Sequence, residues 1–223
     1  MKGRSRAMTL AMVAIFAFLY LPIVILIVYS FNAGRFVTVW GGVSVKWYGA
    51  LFANSQLIAA AWLSLRIAVA SATVATVIGV MAGYALARFK RFPGRLLFSI
   101  LLIAPILLPE VITGMSLLLL FVESEQLAGW PSGRGVLTVI VSHITFTLPC
   151  AALVMRARFN ELDVSLEEAA LDLGAGPFTT FQAVSLPLAL PAIIASWLLC
   201  FTLSLDDLVI STFVNGPGST TLP

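Results

Sequence analysis

The sequence predicts an all-α protein, a polytopic bundle of transmembrane helices, and three observations carry that reading. Of its residues 60% are hydrophobic and 10% charged, with a mean hydropathy of +1.04, whereas soluble domains carry roughly 25% charged residues. The apolar residues gather into five long runs. The basic residues stand in short stretches beside those runs, so the net charge of +3 and the pI near 9.1 speak of orientation in a bilayer and not of nucleic acid. Cys150 and Cys200 lie inside apolar runs and read as small buried hydrophobes, without the spacing of a disulfide framework or a metal site. A single transmembrane domain, 1–223, is expected.

The first span is expected at about 8–31. Lys2, Arg4 and Arg6 precede an apolar run longer than the core of a signal peptide. At about 24 residues it crosses roughly 30 Å, so it reads as an uncleaved helix with Pro22 as a kink point. Residues 32–56 form a loop whose Trp40, Trp47 and Tyr48 suit the membrane–water boundary or a partner. A second span, about 57–87, is rich in Ala, Val, Gly and Thr; small residues let helices approach closely where lipid supplies no hydrophobic drive. Near its start, Arg66 either snorkels outward or pairs with an acid. The basic stretch RFKRFPGR, 88–95, reads as a tight loop.

The third span, about 96–122, contains Pro105, Pro109 and Glu110. Each proline removes a backbone donor. Such breaks survive in lipid where protein or a water-filled cavity re-satisfies the backbone. A carboxylate there is expensive, which makes Glu110 a candidate lining of a path; an interhelical hydrogen bond is the plainer alternative. The fourth span, about 136–155, holds His143, the chain's one histidine, read as packed and hydrogen-bonded. The fifth, about 188–205, ends at Asp206-Asp207, and the tail beyond is too broken by turns to span. Lys2, Arg4, Arg6, Arg88, Lys90, Arg91, Arg95, Arg156 and Arg158 outnumber Arg35, Lys46 and Arg134 on the other side. This bias places the N-terminus and the loop at 157–187 in the cytoplasm, and Asp206 and Asp207 near the outer leaflet.

Within that loop, Ser165 and Glu168 are spaced as a capping box. Glu167, Glu168 and Asp172 put negative charge in the first turns of a helix, where its dipole favours it. Glu168-Ala169-Ala170 offers small side chains, Gly174 suits a left-handed stop, and Pro177 suits the first position of a second helix. That helix is expected to end before Pro187. The product is either a plain connector or a docking knob. Glu168-Ala169-Ala170, Gly174 and Val184-x-Leu186-Pro187 resemble the EAA loop of permease subunits of binding-protein-dependent ABC importers, with Val184 where that family has Ile. Tyr84-Ala85-Leu86-Ala87 and the basic stretch after it resemble the same family. The resemblance implies the type I ABC importer permease (MetI-like) fold, with the short helix seated in a groove of a cytoplasmic ATPase. It assigns docking to Glu168, Ala169, Ala170, Gly174, Leu186 and Pro187. It also implies a sixth span after the tail, missing from these residues through truncation or lack of order.

No G-x-x-x-x-G-K-[ST], zinc-site spacing or nucleophile elbow occurs, so no enzyme activity and no cofactor are expected in this chain. ATP and Mg are expected on the partner ATPase. The partners implied are an ATPase dimer, a second and different permease, a periplasmic substrate-binding protein and the lipid of a bacterial inner membrane. Glu110, Asp206 and Asp207 are the acids within or beside spans. They suit a cationic solute with apolar stretches, such as a diamine, helped by cation–π contacts; they equally suit backbone amides or Arg66. The segments VTVWGG, KWYGALF, APILLPEVITGMSLLLLF and SLDDLVISTFVNGPGSTTLP resemble the polyamine branch, the second permease subunit of putrescine/spermidine importers. Polyamine import by alternating access is what this implies. The alternatives are a permease of the same class for an amino acid, sulfate or iron chelate, or a stand-alone secondary transporter or channel, for which internal repeats would be expected.

Overall fold

The computed structural model describes residues 2–36, 39–219 and 221–222. The described residues are helical with short connections and no strand beyond one isolated bridge, Asn32 to Val43. Two compact units result, Met1–Ile58 and Ala59–Pro223.

The first unit contains α1 (Lys2–Ser30), which carries Pro22 inside it, and α2 (Lys46–Ala53). The loop between them is organised on the buried Asn32. Its carboxamide accepts the amides of Gly34 at 2.9 Å and Gly41 at 2.7 Å and donates to the Val39 carbonyl at 2.7 Å. The Trp47 indole donates to the Asn32 carbonyl at 3.0 Å, and the Tyr48 hydroxyl meets Ser30 Oγ at 2.7 Å. Trp47 and Tyr48, two of the aromatics expected at a membrane boundary, therefore also have a structural task here: their polar tips tie the start of α2 to the end of α1.

The second unit is built on α3 (Ser55–Arg88), α6 (Val136–Glu161) and α9 (Leu186–Asp206). Small residues on α3 let α6 come close. A Cβ placed on Gly79 would lie 2.5 Å from the Cβ of Ala151, and one on Gly83 would lie 2.7 Å from the Arg156 amide. Four apolar clusters follow α3 along its length. Ile67 packs with Leu117, Phe121, Val139, Ile210 and Val214. Ala72 and Ala75 meet Ala151 and Cys200. Val80 meets Met155, Phe159 and Ala189, and finally Ala82 and Leu86 meet Leu102 and Ala152. The outer faces carry exposed leucines, isoleucines and phenylalanines, the pattern of a surface solvated by lipid.

The stretch read as one third span is two helices, α4 (Arg95–Leu107) and α5 (Glu110–Ala128). The break falls at Leu108, extended with ψ 143°, as the residue before Pro109 should be. Pro105, Pro149 and Pro191 remain inside helices. Between α3 and α4, Gly94 takes φ +79°, and the Arg95 guanidinium donates to the carbonyls of Lys90 at 2.7 Å and Leu86 at 3.1 Å, closing the basic loop on itself. After α6 come α7 (Val164–Asp172), α8 (Pro177–Thr180) and a π-turn (Phe181–Ser185) that runs directly into α9. Pro187 therefore does not end the second helix. The wider π-turn upstream accommodates the missing amide and the ring, and Pro177–Asp206 forms one continuous apolar helix. The tail folds as α10 (Val209–Val214), against α5 and α6. It is tied by Thr138 Oγ1 donating to the Val214 carbonyl at 2.9 Å and the Leu222 amide donating to Ser64 Oγ at 2.8 Å.

Candidate functional site

Local chemistry shapes α7. The Asp163 carboxylate accepts the Ser165 amide at 3.0 Å, and that amide holds its carboxyl below the usual carboxylate range. The capping box expected of Ser165 and Glu168 does not form, because Asp163 is the N-cap and starts the helix earlier. At the other end, Gly174 at φ +87° makes the left-handed stop. Its amide donates to the Leu171 carbonyl at 2.9 Å and the Ala175 amide to the Ala170 carbonyl at 3.0 Å, the paired bonds of a Schellman motif. Pro177 then occupies the start of α8.

Glu168, Ala169 and Gly174 lie exposed on this knob, Ala170 is half-buried, and Leu171, Leu173 and Phe178 add exposed apolar surface beside them. Leu186 packs into the cluster around Phe159, and Pro187 is exposed just after the π-turn. The knob is held from within by residues that sequence reasoning missed. Arg88 and Glu167 form a two-pronged ion pair, Nε to Oε2 at 2.9 Å and Nη2 to Oε1 at 3.0 Å. Tyr84, Phe159 and Phe181 stack edge to face beside it, with ring centroids 5.2 and 4.8 Å from that of Tyr84.

A second polar centre lies toward the α10 end. His143 of α6 is buried, and both ring nitrogens are engaged: Nδ1 with Ser204 Oγ at 2.6 Å, Nε2 with Ser211 Oγ at 2.9 Å and Asp207 Oδ2 at 3.2 Å. Asp207 also caps α10, accepting the amides of Ile210 at 3.3 Å and Ser211 at 3.0 Å. Of the two adjacent acids, then, Asp207 is buried and satisfied by protein groups, whereas Asp206 is exposed at the C-terminal end of α9. A carboxylate there meets the negative end of the helix dipole, an arrangement that favours a cation. Glu110 is exposed in the first turn of α5, one turn before Gly114, which backs onto Ile210 and Phe213 of α10. The structure thus brings the helix that begins with Glu110 against the one capped by Asp207. Arg66 lies over the Trp62 ring, 5.1 Å from its centroid, and makes no ion pair among the described residues. Those residues also contain no group of His, Cys, Asp and Glu able to hold a metal ion.

A lipid-facing helical bundle with a small, exposed helical knob at one end and acids at the ends of its helices is the anatomy of a transport-system membrane subunit. Residues 75–223 match the family described as binding-protein-dependent transport system inner membrane component, and the chain belongs to that family. It is 51% identical over 208 residues to the putrescine transport system permease protein PotI of Escherichia coli K12, covering 93% of this chain and 74% of that protein. The spermidine/putrescine transport system permease protein PotC of the same organism is 46% identical over 213 residues, 95% of this chain and 78% of PotC. Among solved structures, a bacterial ABC transporter involved in the import of the acidic polysaccharide alginate shares the fold, with a TM-score of 0.72 at 19% identity over 98% of this chain and 75% of that one.

Proposed function

We propose that this chain is the permease subunit of an ATP-driven polyamine importer, with putrescine as its solute. The observation that carries the reading is the 51% identity to a putrescine permease along 93% of the chain. Glu110 and Asp206, exposed at helix ends, support it as the acids that meet a cationic solute on the path, whereas Asp207 is buried against His143 and Ser211 and holds the bundle together there. An extended diamine presents two cationic ends joined by methylenes, which fits separated carboxylates between apolar walls. The chain pairs with a second permease, receives its solute from a periplasmic binding protein, and docks an ATPase dimer through Glu168, Ala169, Ala170, Gly174, Leu186 and Pro187. ATP and Mg act on that dimer. With the N-terminus and the knob in the cytoplasm, closure of the dimer pushes α7 and rocks the spans between two packings.

ATP hydrolysis by the complete transporter in lipid vesicles, with its binding protein, tests this against putrescine, spermidine, basic amino acids and sulfate. Stimulation by polyamines alone is expected, with Asp206→Asn and Glu110→Gln each lowering uptake about tenfold, the effect of roughly 1.4 kcal/mol. Stimulation by another solute overturns the polyamine assignment. Uptake that persists without ATP overturns the importer itself.

A further inference from the structure

Glu167 is the sole buried residue of α7. A short amphipathic helix ordinarily holds to its bundle through an apolar face. Here Val164, Leu166 and Leu171 are exposed, as is Leu173 just beyond. What fixes α7 is polar. Besides its two bonds to Glu167, the Arg88 guanidinium donates Nη1 to the Phe159 carbonyl at 2.6 Å and Nη2 to the Leu162 carbonyl at 3.4 Å, at the end of α6. Ser185, in the π-turn at the head of α9, donates its hydroxyl to Glu167 Oε1 at 2.8 Å. One carboxylate thus joins α7 to the last residue of α3, through it to the end of α6, and directly to the head of α9.

The covalent links of α7 to its neighbours are non-helical. Leu162 and Asp163 are extended on one side, and Gly174 and Gly176 stand on the other. A short helix between two such joints can tilt without moving its neighbours unless something ties it to them.

We propose that the Arg88–Glu167 pair is the joint that delivers movement of α7 to α3, α6 and α9, and so sets how much solute is moved per ATP hydrolysed. This rests on α7 being the ATPase-docking helix. The chemistry suits the task. A bidentate guanidinium–carboxylate pair constrains rotation as well as distance. With side-chain exposures of 12% and 10%, the pair sits where hydrogen bonds are electrostatically stronger than in water. Lysine cannot replace Arg88, because one ammonium does not hold a carboxylate in two places and reach two carbonyls. Adjacent glutamates then divide the work: Glu168 faces outward to the partner, and Glu167 faces inward to the spans.

The test is the ratio of putrescine transported to ATP hydrolysed by the complete transporter in vesicles. Glu167→Ala and Arg88→Lys are expected to lower that ratio at least about fivefold, with the ATPase still bound and active because the exposed face of α7 is unchanged. Glu167→Gln, which keeps the shape and the Ser185 bond, is expected to fall between, and its ratio decides if the alanine variant does not assemble. An unchanged ratio overturns the proposal, and so does loss of the ATPase from Glu167→Gln complexes. Disulfide trapping from Ala169→Cys to the ATPase reports docking separately. No trapping in an otherwise unaltered chain overturns the docking assignment, whereas trapping with an unchanged ratio overturns the joint alone.

Discussion

His143 gives both ring nitrogens to one corner of the chain, where Ser204, Asp207 and Ser211 converge. Removing the ring leaves three buried oxygen groups short of a partner. His143→Ala is therefore expected to destabilise the complex by about 2–4 kcal/mol, seen as a lower unfolding temperature, with His143→Gln recovering part of the loss. The sequence reading of this histidine as packed and hydrogen-bonded agrees with the structure, since a lone histidine in an apolar run has few other fates. In the sequence Arg88 and Glu167 are visible only as charges, one contributing to the orientation bias and the other to a helix dipole. Their pairing spans 79 positions, and no local spacing records it. Asp163 is hidden in the sequence for a related reason: Ser165 and Glu168 match a known pattern, but the acid two residues before Ser165 takes its amide first.

At the scale of elements, α3 and α6 are joined by absence of side chain more than by its presence. The Gly79 position leaves no room for even a methyl group against Ala151. Gly79→Ala is expected to cost about 1–3 kcal/mol through overpacking, while Gly49→Ala, with nothing within 4 Å of its added carbon, leaves thermal stability unchanged. The small-residue composition of this span made close approach legible in advance; which glycine meets which alanine depends on the partner helix and was not. Prolines were legible unevenly. Pro109 broke its helix as its type demands, whereas Pro187 was absorbed by a π-turn that packs on Tyr84, a tertiary effect with no signature in the local sequence.

At the scale of the whole molecule, fold class and family were readable because a bilayer leaves few architectures open and because the motif around Gly174 is long and specific. Orientation rests on the distribution of basic residues. In a chain with Cys150 and Cys200 replaced by alanine, a membrane-impermeant thiol reagent is expected to label Val43→Cys in cells with an opened outer membrane and an intact inner one. It should reach Ala169→Cys only after the inner membrane is opened; the reverse pattern inverts the topology. The π-turn at Phe181–Ser185 carries a consequence for how such chains diverge. It holds one residue more than an α-helical path needs, and the wider turn takes that residue up locally, the Leu186 amide reaching back to the Phe181 carbonyl. A relative that lost one residue from this stretch would close it to an ordinary α-helical turn and keep the same side of the knob facing outward. The extra residue between Thr180 and Leu186 is thus slack in the chain, a place where relatives can differ in length by one without turning the knob.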